Sequence, residues 1–181
     1  RTMCTNLGIN SDFSPKDVDE EVMKNSKFLF LEGYLVASPE GFESYKKAIN
    51  LAKIHNTKVA ISLSDPFIVN TFKKELKELI EIKCDFIFCN EDEAAEFADS
   101  REEDVIFAYF KNFTPNLLVT KGPRGCKGYD EDGTINIPGL EVNAIDTNGA
   151  GDMFAGAVLY GLNESKNLEA SANFGCFAAS K

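Results

Sequence analysis

An α/β fold, with a parallel sheet covered by helices on both faces, is predicted by three observations. Short, wholly apolar runs recur along the chain, helical stretches separate them, and the order is strand, helix, strand, helix as far as Thr120. A strand covered on both faces is apolar at every position rather than at alternate ones.

The first run is Phe28-Leu29-Phe30-Leu31. Pro39 and Glu40 then open a helical stretch with Phe42, Tyr45, Ile49 and Ala52 on one face. Residues 58–63 (KVAISL) are the second strand, and Asp65-Pro66 begins a helix to about Ile82. Residues 85–89 (DFIFC) are the third run, followed by the acidic segment 90–97 and a helix over about 101–113. Leu117-Leu118-Val119 is the fourth. Beyond Thr120 the rhythm changes. Gly122, Gly125, Gly128, Asp132-Gly133 and Pro138-Gly139 punctuate short segments such as 126–129 and 134–137, which predicts small antiparallel strands joined by tight turns. Residues 146–152 read as a glycine-rich turn between a strand and a helix over 153–162. No repeat, low-complexity tract or linker divides the chain, so a single domain is expected over residues 1–181. The chain opens on Arg1-Thr2-Met3 and closes on an apolar helical stretch without a stop signal, which suggests a piece of a longer protein.

With 181 residues, 44% hydrophobic and 27% charged, the chain can bury a sizeable core without a metal or disulfide staple, and disorder over most of its length is excluded. The formal charge is −10, from 19 basic and 29 acidic residues. That balance argues against nucleic acid or an anionic membrane as the main partner, while leaving room for a local pocket for a small anion. The one histidine, His55, lies at the polar end of a predicted helix and reads as a surface residue, so a multi-histidine metal site within the chain is excluded. Five scattered cysteines without a C-x-x-C pair read as the reduced thiols of a cytoplasmic protein. No run approaches the ~18 apolar residues of a membrane span. Phe67, Phe72, Phe86 and Phe88 read as core.

The strongest chemical signal is Asp146-Thr147-Asn148-Gly149-Ala150-Gly151-Asp152. Small residues let the backbone turn so that several amides point at one spot, and the following helix adds a partial positive charge there, which suits a phosphate or another oxyanion. Asp152 falls in the helix's first turn, where the dipole favours its ionised form. A carboxylate beside an anion hole can take a proton from an attacking hydroxyl while the hole steadies the transferring group. The alternative is a plain glycine-rich loop with an acidic first-turn residue. Thr120-Lys121-Gly122-Pro123-Arg124-Gly125 follows a buried strand at the end where open α/β sheets bind ligands. Its glycines and hydroxyl could approach a nucleotide phosphate, with charge from Lys121 or Arg124; otherwise it is a simple turn. Asn90-Glu91-Asp92-Glu93 follows DFIFC in the same way, and its acids suit either water-mediated Mg²⁺ binding or helix capping. There is no G-x-x-x-x-G-K-[ST] loop and no G-x-G-x-x-G after the first strand, so P-loop and dinucleotide-binding readings lose support.

These segments resemble, in the same order, three motifs of the ribokinase-like (PfkB) sugar and nucleoside kinases: N-x-x-E at Asn90 and Glu93, the nucleotide-phosphate loop at Thr120, Gly122 and Gly125, and D-T-x-G-A-G-D at residues 146–152. The resemblance spans nearly the whole chain. It implies a ribokinase-like α/β sandwich with a small antiparallel portion near the nucleotide site. The chain would be an incomplete, C-terminal part of that fold, lacking the acceptor-binding and lid region and the extreme C-terminus. It further implies Asp152 as catalytic base and acceptor contact, the amides of Gly149, Ala150 and Gly151 as anion hole, and Asn90, Thr120, Gly122 and Gly125 as ATP contacts. Glu93 would belong to the Mg²⁺ network, and Asp146 would lie near a monovalent cation such as K⁺. Leu63-Ser64-Asp65-Pro66-Phe67-Ile68, Gly33-Tyr34-Leu35 and Ser38-Pro39-Glu40 are similar to adenosine kinases within the family, and Arg1 is similar to an arginine that approaches the transferred phosphate there. The implied reaction is Mg·ATP-dependent phosphorylation of a primary hydroxyl, on adenosine or another nucleoside, or on a sugar such as ribose or fructose. A module that keeps the fold and has lost catalysis is the non-enzyme alternative.

Overall fold

The computed structural model describes residues 8–181; Arg1 and Cys4 lie outside them. Four parallel strands, β1 (Phe28–Glu32), β2 (Lys58–Ser62), β3 (Phe86–Asn90) and β4 (Asn116–Thr120), lie side by side in chain order. An antiparallel hairpin, β5 (Cys126–Asp130) and β6 (Gly133–Ile137), extends the same sheet to six strands. The helices are α1 (Glu20–Lys24), α2 (Pro39–His55), α3 (Pro66–Ile82), α4 (Glu91–Ala98), α5 (Glu103–Phe110), α6 (Ala150–Asn163) and α7 (Leu168–Ala179).

Side chains alternate across the two faces of the sheet, as the period of two requires. Val59, Ile61, Ile87, Cys89, Leu117 and Val119 point into one core with residues of α2–α5, among them Ile49, Leu76, Ile80, Phe97 and Phe110. Ala60, Phe88 and Leu118 point the other way and meet Phe154, Ala155 and Val158 of α6 and Leu168 and Ala172 of α7. Both faces are therefore covered, which is why the strands are apolar throughout. Phe97 is fully buried, stacked on the Phe110 ring at 5.2 Å and edge-on to Phe113 at 5.8 Å.

Four local differences from the expected elements have physical causes. The acidic segment after β3 is a helix in its own right, α4, because Asn90 and Glu93 cap each other reciprocally. No strand leads directly into the glycine-rich loop: β6 stops at Pro138, and residues 138–149 are irregular. Gly139 sits so close to the opposite turn that a Cβ would lie 1.9 Å from the Pro123 carbonyl oxygen. Phe67 is 71% exposed rather than core, since it stands in the first turn of α3 ahead of the face that buries Ile68 and Val69. His55 is partly buried, in the last turn of α2, with Nε2 2.9 Å from Glu20 Oε1. Phe72, Phe86 and Phe88 do pack against the two cores.

Phe97→Ala is expected to cost about 3–5 kcal/mol of unfolding free energy, the range for truncating a buried ring. Urea titration of the two proteins measures it.

Candidate active site at the carboxyl ends of the parallel strands

Every parallel strand is apolar through its middle and ends on a polar residue. Glu32, Ser62, Asn90 and Thr120 end β1–β4, and Glu32 pairs in register with Ser62 and Asn90 with Thr120. The polar groups thus form one row along the edge where open parallel sheets bind ligands.

The β1 end is held by its neighbours. The Tyr45 hydroxyl donates to the Glu32 carbonyl at 2.6 Å, the Gly33 N–H donates to Ser64 Oγ at 2.6 Å, and the Tyr34 hydroxyl donates to the Ser64 carbonyl at 3.1 Å. Ser64 adopts φ 71°, a left-handed conformation that non-glycine residues seldom take. Gly33 is required at its position because a Cβ would stand 2.9 Å from the Leu63 carbonyl oxygen. Asp65 caps α3, its Oδ1 accepting the Phe67 N–H at 2.7 Å.

At the β3 end, Asn90 Oδ1 accepts the Glu93 N–H at 2.8 Å, while the Glu93 carboxylate accepts the Asn90 N–H at 3.0 Å and its side-chain amide at 2.6 Å. Glu93 is 5% exposed, and burial, opposed by the Asn90 N–H, pushes its carboxyl up to about 7. Capping therefore takes both carboxylate oxygens. Among the described residues no group of three or more His, Cys, Asp or Glu gathers to hold a metal ion directly. Mg²⁺, which keeps several waters and takes phosphate oxygens, does not require such a group.

The Thr120–Gly125 turn is closed by hydrogen bonds. Thr120 Oγ1 donates to the Cys89 carbonyl at 3.4 Å, and the Lys121 and Gly125 backbones close the turn with a 2.7 Å bond. Gly125 has φ 90°, and a Cβ on it would lie 2.1 Å from the Ile137 carbonyl oxygen, so no other residue fits. Gly122, at φ 54°, faces open space. Lys121 and Arg124, expected as a source of charge for phosphate, are turned to acids instead: Lys121 to Glu91 and Glu103, Arg124 to Glu91. With Asp92 and Arg101 these residues line a separate cleft of about 290 Å³ between α4, α5 and the turn.

Gly149, at φ 76°, is the N-cap of α6. Asp146 Oδ1 accepts the Asn148 N–H at 2.9 Å and so shapes the loop. The Ala150 N–H is taken by the Thr147 carbonyl and that of Met153 by the Gly149 carbonyl. A helix start leaves its remaining first-turn donors, here Gly151 and Asp152, for an incoming acceptor. No atom lies within 4 Å of where a Gly151 Cβ would stand, so the backbone is open to a ligand. Asp152 is exposed in the first turn of α6.

Electrostatics tie the ends together. Burial, then the Asp152 carboxylate, raises the Glu32 carboxyl above its ordinary range. The Tyr34 phenol is raised by burial and by the carboxylates of Asp65, Glu93, Glu32 and Asp152. Asp152 and Glu93, 59 residues apart in the chain, thus act on one tyrosine together with Glu32 and Asp65. Glu32 carried a signal in the sequence, as the one charge closing an apolar strand. Ser64 and Asp65 carried only a helix start and the resemblance of their segment to adenosine kinases.

The described geometry is that of a ribokinase-like sheet with a ligand edge, and the comparisons agree. The profile of the pfkB family carbohydrate kinases matches residues 1–181, and the chain belongs to that family. It is 30% identical over 178 residues to a 5-dehydro-2-deoxygluconokinase of Bacillus licheniformis, covering 92% of this chain and 54% of the relative. It is 27% identical over 195 residues to an adenosine kinase of Saccharomyces cerevisiae, covering 99% and 56%. A probable sugar kinase of Rhizobium etli superposes with a TM-score of 0.90 at 27% identity, over 94% of this chain and 52% of that one. The chain thus spans about half the length of the relatives it matches.

A pH series isolates Glu93. A carboxyl whose folded pKa is raised from 4.5 to about 7 favours the folded state while protonated, and that contribution is lost as pH rises through about 7. Glu93→Gln, which keeps one of the two acceptor oxygens of the cap and does not titrate, is expected to remove this slope. Relative to the variant, wild-type stability should fall between pH 4.5 and 8 by on the order of 3 kcal/mol, at about 1.4 kcal/mol per pK unit. Urea unfolding at each pH checks it.

Proposed function

We propose that the complete protein carrying this chain transfers the γ-phosphoryl group of Mg·ATP to a primary hydroxyl, with an adenosine-like nucleoside as acceptor. The observation that carries the reading is Asp152, exposed in the first turn of α6 beside the open Gly149–Gly151 backbone and on the same edge as Asn90, Glu93 and Thr120.

Asp152 accepts the proton of the acceptor hydroxyl as its oxygen becomes the nucleophile, a role suited to a carboxylate within reach of the reacting group. The Gly149 and Gly151 amides, with the α6 dipole behind them, meet the charge on the transferring group; the Ala150 N–H, expected to share this task, is taken by the Thr147 carbonyl. Asn90, Thr120, Gly122 and Gly125 position the nucleotide; the two turn glycines let phosphate approach the backbone. Glu93 would be the residue that helps hold Mg²⁺, which would supply neutralisation of the phosphate charge. Asp146, at the foot of the loop, is the residue for a monovalent cation such as K⁺.

A nucleoside acceptor is supported by the aromatic rings at this edge: Tyr34 is 44% and Phe67 71% exposed, surfaces on which a base can stack. A sugar acceptor is the second reading. It is supported by the carboxylates of Glu32 and Asp65, which can hydrogen-bond hydroxyl groups, and by the similarity to a 5-dehydro-2-deoxygluconokinase.

The test is ADP release from Mg·ATP by the complete protein, offered adenosine, other nucleosides, ribose and fructose in turn. Asp152→Asn is expected to lower turnover about 10²–10⁴-fold, the usual weight of a general base, with little change in the KM for ATP. Turnover within a few-fold of wild type would remove Asp152 from the role. Turnover with a sugar alone would keep the mechanism and discard the nucleoside.

A further inference from the structure

We propose that Glu103 is a positioning residue for the nucleotide: its one carboxylate grips both arms of the Thr120–Gly125 turn and fixes where that turn stands over the strand ends. This role rests on the reading that the turn meets the nucleotide.

Glu103 stands in the first turn of α5, and its two carboxylate oxygens have different partners. Oε2 accepts from Lys121 Nζ at 2.5 Å, where the chain has just left β4. Oε1 accepts from Lys127 Nζ, where the chain has re-entered the sheet in β5. Residues 122–126 between these two lysines carry the turn. Glu91, in the first turn of α4, adds a second hold: its carboxylate lies 3.6 Å from Lys121 Nζ and pairs with Arg124. Two acids from two helices thus fasten the three cations of segment 121–127. An exposed ion pair contributes little, but these lysines are sheltered, with side chains 18% and 29% exposed, and Lys127 Nζ stands 5.7 Å from the centre of the Phe107 ring. The hydrogen bonds from Lys121 and then Lys127 hold the Glu103 carboxyl below the ordinary carboxylate range.

The clamp acts from the back of the sheet. Residues directly opposite on neighbouring strands share a face. Lys127 is opposite Val119, which lies in the core packed by α2–α5, whereas Thr120 is opposite Cys126, which lies in the core packed by α6 and α7. The Lys127–Glu103 pair therefore stands on the face away from α6, and freeing Lys127 would not deliver its charge to a phosphate at the α6 start. What the pair supplies is order. Gly122, at φ 54° with open space around it, has no side chain to anchor the turn, and a turn already fixed loses less freedom when a ligand arrives.

The experiment measures Mg·ADP binding calorimetrically on the complete protein, as wild type, Glu103→Gln, Lys127→Met and the double variant. Each single change is expected to weaken Mg·ADP about three- to tenfold, and the double change no further than one single change, as partners in one interaction require. In turnover the KM for ATP is expected to rise by the same factor, with kcat and the acceptor KM within about twofold of wild type; a general loss of packing would not single out ATP. Hydrogen exchange without nucleotide is expected to quicken at residues 121–127 of Glu103→Gln and to stay unchanged in α7. Unchanged or tighter Mg·ADP binding by Glu103→Gln, additive effects in the double variant, or unchanged exchange at 121–127 would overturn the proposal. A wild-type protein that binds no Mg·ADP would overturn the nucleotide reading and this role with it, whereas wild-type binding that Glu103→Gln leaves intact overturns this role alone.

Discussion

Burial of the sheet on both faces is the constraint from which the rest follows. Strands β1–β4 have no solvent-facing side, so a polar residue within them would lose its hydrogen bonds to water. Polar chemistry is admitted only where each strand runs out of cover. Glu32, Ser62, Asn90 and Thr120 occupy those last positions. The turns that follow bring in Ser64, Asp65 and Glu93, and α6 returns from the far face to place Asp152 among them. The site is a consequence of the core's geometry.

The electrostatic character of that edge is unusual for a place that would receive polyphosphate. Its fixed charges are carboxylates, and the nearby cations Lys121 and Arg124 are held by Glu91 and Glu103. Attraction for an anion must come from backbone: the first turn of α6, where donors are free of side-chain crowding, and the turn glycines of the Thr120–Gly125 segment. Carboxylates in the same place favour a divalent cation arriving with the anion over the anion alone. The carboxyls of Glu32 and Glu93 are raised first by burial and then by neighbouring acids.

The fold was legible because two-sided burial writes itself as continuous apolar runs, and each of the four runs is a parallel strand. The glycine-rich hairpin was legible from its turns. What was hidden depends on contacts between distant segments. Phe67 reads as an apolar residue in an apolar stretch, and nothing local says that α3 buries Ile68 and Val69 and leaves its neighbour out. The basic residues of the Thr120–Gly125 turn read as phosphate ligands until their partners on α4 and α5, about 20–30 residues upstream, are in place. Asn90, Glu93, Thr120 and Asp152 stand out through motif order; that Glu32 lies beside Ser62 needed the register of β1 on β2.

The position of Asp152 is governed from the helix side rather than the loop side. Residues 140–148 are exposed, and their connection to β6 runs through irregular chain. The body of α6, by contrast, is locked: Phe154 meets Phe88 edge-on at 6.3 Å and Val158 is fully buried. A Cβ on Gly175 of α7 would stand 2.8 Å from Phe154 and Val158, and one on Gly161 would stand 2.7 Å from Ser171 Oγ. Glycine at both positions lets α6 and α7 approach closely, and the buried Ser171 hydroxyl, which has no partner among the described residues, is a cost borne at that contact. Small residues far from the chemistry therefore set the height of α6 over the sheet, and with it where the carboxylate and the first-turn amides stand relative to the strand ends. A larger residue at Gly161 or Gly175 would displace the site as a unit while leaving every polar residue in it intact.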